Sequence, residues 1–171
     1  ALPMMAATLL TDEPCTLQCV PDLMDIRTMI RILECLGKDI TFDNGTLSIT
    51  ARKPKRRGAS VAPYRLVRTM RASFCCLGPL LAKQRKGKVA LPGGCVIGPR
   101  PVDLHIKGLR ELGAELIVER GYCVGRASVL GGSHIYLGGP FGSSVLATAN
   151  VMMAAVLAAG ETTIEYAACE P

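Results

Sequence analysis

Tryptophan is absent from the 171 residues, and three Phe with four Tyr bring the aromatic content to only 4%. A core without large rings must be filled by Ala, Leu, Val, Ile and Met, which suits close packing of helices on sheets. Scarce aromatics also weaken any reading as a module that stacks nucleic-acid bases. Only two histidines occur and no Cys-x-x-Cys pair, so zinc-ligand spacing is lacking. The eight cysteines (15, 19, 35, 75, 76, 95, 123 and 169) are expected to be reduced, mostly buried thiols, Cys35, Cys75 and Cys76 falling in helical apolar runs. Val151–Ala159 is far shorter than the ~20 residues that span a bilayer, and Ala1–Leu10 has no basic segment of the kind that opens a secretory leader. The expectation is a cytoplasmic chain with no membrane partner, no metal and no cofactor.

What is present is a core-forming composition. Hydrophobic residues make up 49%, and a chain of this length buries about 68–70% of its unfolded surface, which fits one domain. Net charge is +6, much of it in Arg52-Lys53-Pro54-Lys55-Arg56-Arg57. That run permits nuclear targeting or nucleic-acid contact, but without interleaved aromatics a solvated linker is the simpler reading.

Local signals alternate along the chain. Leu2–Leu10 reads as a buried helix, and Cys15–Val20 as a strand with Leu17 and Cys19 on one face. Asp22 suits an N-cap and Asp25 a first turn, predicting a helix from Leu23 to Leu36 with Leu23, Ile26, Ile30, Leu33 and Leu36 inward. Gly37 stops it, and Asp43-Asn44-Gly45 marks a hairpin between Asp39–Phe42 and Thr46–Ile49. After the basic run the order recurs: a helix from Pro63 through Leu81, a strand at Lys88–Leu91, a helix at Val102–Leu112, and a hairpin turning at Glu119-Arg120-Gly121.

The recurrence holds in register. Leu36-Gly37, Ile40, Phe42, Gly45 and Leu47 match Leu112-Gly113, Leu116, Val118, Gly121 and Cys123 at an offset of 76. Ala6, Ala7 and Leu9 return as Ala154, Ala155 and Leu157 at 148, and Thr16-Leu17 as Thr163-Ile164 at 147. The expected division is a single domain: unit 1 about 1–51, basic linker 52–60, unit 2 about 61–127, and a truncated unit 3 about 128–171.

The copies differ where function would enter. Val20-Pro21-Asp22 in the first becomes Leu91-Pro92-Gly93-Gly94-Cys95-Val96-Ile97-Gly98-Pro99-Arg100-Pro101-Val102-Asp103 in the second. Glycines expose Cys95, while Arg100 and the following helix N-terminus favour its thiolate, suiting a nucleophile or a proton donor. Neither histidine is placed as its base: His105 and His134 read as surface or capping residues, which disfavours a thiol protease. Arg71 and Arg100 are candidates for anion binding, with a surface arginine as the plain alternative. Gly138–Ser144 gathers amides and hydroxyls at a helix start, a geometry that holds phosphate and equally describes an ordinary capped helix.

Leu91–Leu104 resembles the catalytic loop of the UDP-N-acetylglucosamine 1-carboxyvinyltransferase family of enolpyruvyl transferases. Ala62-Pro63-Tyr64 through Met70-Arg71-Ala72-Ser73, Pro21-Asp22-Leu23 with Arg27-Thr28-Met29, and His134-Ile135-Tyr136 resemble the same family, so the likeness covers essentially the whole chain. The resemblance implies an inside-out α/β domain of repeated βαβαββ units. It implies transfer of the enolpyruvyl group of phosphoenolpyruvate to the 3-hydroxyl of UDP-N-acetylglucosamine, the first committed step of peptidoglycan synthesis. Cys95 would be the proton donor. Arg71 and Arg100 would hold phosphate-bearing groups, and Arg100, Pro101, Val102, Asp103 and Leu104, with Ser144 and Val145, would line the nucleotide-sugar site. Some family features differ: a Lys-Asn pair precedes Ala-Leu-Pro in the family, Gly142 replaces a basic residue, Leu146 a glycine and Cys169 an arginine. A second domain with further catalytic residues is the expected partner, so the chain alone is expected to be inactive. Two other readings stay open: a degenerate fragment that keeps only ligand binding, and a basic nucleic-acid-associated module. The sister transferase for shikimate 3-phosphate shares the fold but lacks this cysteine loop.

Overall fold

Tight turns set the architecture. In a computed structural model, which describes residues 1–52, 60–92 and 102–169, Asn44-Gly45 and Arg120-Gly121 both take left-handed backbone, at φ 45° and 76° and φ 49° and 76°. Consecutive positive φ values fold a strand back with matching twist. They join β2 (Lys38–Asp43) to β3 (Thr46–Ala51), and β6 (Glu115–Glu119) to β7 (Tyr122–Arg126). Gly37 and Gly113, at φ 93° and 94°, end the helices that lead into these hairpins. Residues 76 apart thus share backbone conformation as well as side-chain type.

In the first copy β1 (Cys15–Leu17) runs antiparallel to β3, giving the strand order β1-β3-β2. The second copy repeats this as β5 (Lys86–Ala90), β7 and β6, with β4 (Val61–Ala62) parallel to β5 on the outer edge. Its helices are α3 (Tyr64–Val67) and α4 (Leu77–Gln84) between β4 and β5, then α5 (Asp103–Glu111) before β6, completing a βαβαββ order. The first copy has α1 (Leu2–Ala7) before β1 and α2 (Met24–Cys35) before β2. The last segment pairs β8 (His134–Tyr136) with β9 (Thr163–Glu165) in parallel, around α6 (Val145–Ala155). Cys19 and Tyr166, 147 apart, both have φ 57°, so the third copy also repeats the turn that follows its strand.

Leu17 faces Leu47 and Val89 faces Cys123, so β1 and β5 correspond at an offset of 72, whereas α2 and α5 end 76 apart. The connection holding Cys95 is therefore four residues longer than its counterpart.

The helices lie inside and the sheets outside. In α4, Leu77–Ala82 are all buried, and α6 buries Ala147, Thr148, Asn150, Val151, Met153 and Ala154. A helix apolar on every side seeks cover, which α4 has over Leu77–Ala82 and α6 has except at Val145 and Met152, both about half exposed. The sheets keep wet outer faces: Glu115 and Ile117 of β6 are exposed while Leu116 between them is buried. This is the inside-out α/β arrangement.

Several local expectations are corrected. The first strand stops at Leu17, and Cys19 is exposed in left-handed backbone instead of sharing its inner face. Asp22 does not cap α2; it is drawn to Arg27, which donates Nε–H to its carboxylate at 2.6 Å. Leu23 is consequently outside the helix and exposed. The helix expected from Pro63 to Leu81 is three pieces, α3, a 3₁₀ segment at Arg71–Cys76, and α4, because the extended Met70 (φ −145°, ψ 118°) breaks it. The thiols are not mostly buried: among the described residues Cys75, Cys76 and Cys123 are, Cys15 is half-buried, and Cys19, Cys35 and Cys169 are exposed.

Because Gly45 and Gly121 share a left-handed φ with room for a methyl group, alanine at either should cost about 1 kcal/mol. Urea unfolding is expected to give two similar losses; a loss at only one would break the equivalence of the copies.

Candidate functional site

Three elements carry the candidate residues that the structure describes. Arg71 opens the 3₁₀ segment Arg71–Cys76. Val102 is the residue before α5, whose first turn holds Asp103 and Leu104, and the Val102 carbonyl accepts the Ile106 N–H at 3.0 Å. Ser144 and Val145 begin α6. Cys95, Arg100 and Pro101 lie outside the described residues, whose limits at Pro92 and Val102 bracket them.

The loop Gly139–Gly142 closes on itself by paired backbone hydrogen bonds of 3.2 and 3.0 Å. Leu104 packs on Gly139, where a Cβ would stand 3.2 Å from its Cδ2. Leu104 thus brings the start of α5 against the loop that feeds α6. The Ser144 hydroxyl accepts the Ala147 N–H at 3.3 Å, so it serves as an N-cap, the plainer of its two readings. Val145 is 48% exposed and Asp103 is exposed, leaving both available to a ligand.

Beneath these positions runs a polar connection that sequence reasoning missed. Asn150 of α6 is fully buried. Its Oδ1 accepts the Gly78 N–H of α4 at 2.8 Å, and its Nδ2 donates to the Phe74 carbonyl at 3.3 Å and meets His105 Nδ1 at 3.0 Å. The two backbone partners fix which end of the amide is oxygen. Both Nδ2 hydrogens are then spent on Phe74 and His105, so Nδ1 is the acceptor and the imidazole proton sits on Nε2. Phe74 meets the His105 ring edge-to-face at 5.1 Å.

His105 is therefore a core residue, contrary to the surface or capping role expected for it. Burial, with the Arg71 guanidinium nearby adding repulsion, lowers its pKa to about 3. Arg71 also acts on Cys75, whose thiol burial pushes up to about 12 while donating to the Leu146 carbonyl of α6 at 3.4 Å. Cys123 is likewise raised to about 11 by burial. These thiols stay protonated and serve packing. His134 keeps its expected surface place, 3.0 Å from Glu165.

Glycines let the helices meet this closely. A Cβ at Gly78 would overlap the Asn150 carbonyl oxygen, and one at Gly108 would overlap Val151. The sequence signal was Asn150 itself, an amide inside an otherwise apolar helix (mean hydropathy of the whole chain +0.31), which needs partners when buried. Among the described residues no group of His, Cys, Asp or Glu could hold a metal ion, and no helix is long and apolar enough to cross a membrane.

The model of the EPSP synthase (3-phosphoshikimate 1-carboxyvinyltransferase) family matches residues 1–171. The chain belongs to this family. Within it, the chain is 53% identical over all 171 residues to the UDP-N-acetylglucosamine 1-carboxyvinyltransferase of Methylacidiphilum infernorum, spanning 40% of that relative. It is 49% identical to the protein of the same name from Desulfovibrio desulfuricans, spanning 39% of it. Among solved structures, the enolpyruvyl transferase NikO from Streptomyces tendae superposes with a TM-score of 0.78 at 16% identity, over 99% of this chain and 39% of NikO. An EPSP synthase from Acinetobacter baumannii gives 0.72 at 17%, also over 99% and 39%. These structures share the fold of the family, and the chain spans about 40% of the length of the curated relatives it matches.

Two outcomes follow from the buried network. Asn150→Ala would strand the Gly78 N–H, while the Phe74 carbonyl keeps the Leu77 N–H, and is expected to cost about 2 kcal/mol in urea unfolding. Folding holds His105 neutral while the unfolded chain protonates it below about 6.5, so its contribution is complete above that pH and is lost as pH falls toward about 3. The decline is expected to be about 1.4 kcal/mol per pH unit, and His105→Gln should flatten it.

Proposed function

We propose that this chain forms the cysteine-loop domain of a longer enzyme that transfers the enolpyruvyl group of phosphoenolpyruvate to the 3-hydroxyl of UDP-N-acetylglucosamine. The observation carrying this reading is the 53% identity, over the entire chain, to a protein of that name, across a stretch that includes Leu91–Leu104. Its place is the cytoplasm, at the first committed step of peptidoglycan synthesis, and its division into units of about 1–51, 61–127 and 128–171 follows the internal repeats.

The chemistry runs by addition and elimination. The sugar 3-hydroxyl gives its proton to a base supplied by the rest of the enzyme as its oxygen bonds to C2 of phosphoenolpyruvate, while the Cys95 thiol protonates C3 and is left as thiolate. A base then takes a C3 proton, the C2–O bond to phosphate breaks to release inorganic phosphate, and the double bond is restored. Arg71 and Arg100 neutralise phosphate-bearing groups, a task for guanidinium forks. Val102, Asp103 and Leu104, with Arg100 and Pro101, and Ser144 and Val145 opposite, line the nucleotide sugar. Support comes from the fold: Leu104 on Gly139 and Asn150 under His105 hold the starts of α5 and α6 beside Arg71. No cofactor is needed, since both substrates supply their own reacting groups.

The test is thiol reactivity joined to turnover. Mass spectrometry after brief treatment with a small epoxide is expected to find Cys95 alkylated before Cys15 or Cys123; equal labelling of either would overturn its role. In the longer enzyme, Cys95→Ser is expected to lower phosphate release by roughly 10²-fold or more while calorimetry still detects UDP-N-acetylglucosamine.

A further inference from the structure

Where α2, the end of β3 and α3 meet, a groove of about 520 Å³ opens, lined by Arg31, Glu34, Cys35, Arg52, Arg65 and Leu66. None of these residues belongs to the candidate site. Three arginines from three separate stretches line it with one carboxylate. Arg52 is committed away from the groove: its Nε–H donates to Asp39 at 2.7 Å, and its Nη2 lies 2.6 Å from the same oxygen and donates to the Lys38 carbonyl at 3.4 Å. Arg31 and Arg65 make no hydrogen bond or ion pair among the described residues. Leu66 floors the groove from α3, and the volume falls within the range of about 300–1,000 Å³ that small-ligand sites occupy.

Surface arginines ordinarily sit apart in water or pair with carboxylates, because like charges brought together repel. Here the surplus positive charge is held in a concavity by elements from two different copies of the repeat, α2 and β3 from the first and α3 from the second. Glu34 and Asp39 leave at least one guanidinium uncompensated. The helix C-terminal carbonyls near Cys35 offset only part of the repulsion. The two uncommitted forks, Arg31 of α2 and Arg65 of α3, match the oxygens of linked phosphates better than a single carboxylate.

We propose that this groove is an anion site for a small di- or triphosphate, contributed by residues to which no role in enolpyruvyl transfer is assigned. It does not rest on the function proposed above. The occupant is a small molecule and not a nucleic-acid strand, since the described lining residues include no aromatic on which bases could stack.

Titration calorimetry of the chain with inorganic tripolyphosphate at constant ionic strength tests this. Saturable binding is expected, weakened at least 10-fold in Arg31→Gln/Arg65→Gln and less than twofold in the charge-matched pair Arg120→Gln/Arg126→Gln. Nε–H resonances of Arg31 and Arg65 should shift on titration, a readout on the unmodified chain that holds whether or not the variants fold. Equal weakening in both pairs, shifts spread over all arginines, or single-stranded DNA bound while tripolyphosphate is not, would each overturn the proposal.

Discussion

A single buried amide holds this fold to its purpose. Asn150 reaches from α6 to the backbone of α4 and of the Arg71–Cys76 segment, and to His105, the side chain of α5 that follows the candidate residues Val102–Leu104 by one position. Those are the elements that carry Arg71, Val102–Leu104 and Ser144–Val145. A buried amide with all its hydrogens and its oxygen engaged fixes both spacing and rotation, because any slip strands several polar groups at once. An apolar contact would tolerate sliding. The same centre keeps His105 neutral, so no second positive charge is buried beside the Arg71 guanidinium.

The repeat explains how such a centre can exist. Two copies of one turn-and-hairpin plan, with a third segment that repeats the turn after its strand, place their helices inward and their sheets outward, so helices from different copies meet face to face. With no tryptophan and few rings, close approach comes from small residues: Gly78 admits the α6 backbone and Gly108 admits Val151. The connection between β5 and α5 is where the second copy gains four residues, and Cys95 lies within it. Tolerance of added length in a connection, on a scaffold that does not change, is how one copy of a repeat acquires chemistry.

Much of this was legible in the sequence. The turns at Asn44-Gly45 and Arg120-Gly121, the stops at Gly37 and Gly113, and the strand matches were readable because left-handed backbone and alternation leave local marks. Other features were decided by partners distant in sequence or by choices a pattern cannot rank. Asp22 could cap a helix or pair with Arg27, and the ion pair won. Apolar periodicity from Pro63 to Leu81 fits one helix, yet Met70 turns extended and the chain resumes as a 3₁₀ segment around Phe74. His105 looked like a surface residue on a polar stretch; only its meeting with Asn150, forty-five positions away, makes it interior. The resemblance at Leu91–Leu104 carried the functional proposal, while the Asn150 network carries no motif.

Native-state hydrogen exchange at the Gly78 amide tests the central claim most directly. If Asn150 locks the three helices, that amide should open only with the whole molecule, matching the core amides of Leu33 and Leu47 in exchange free energy. Exchange at Gly78 by local opening, several kcal/mol easier than at those core positions, would contradict the lock and with it the account of how the site is held.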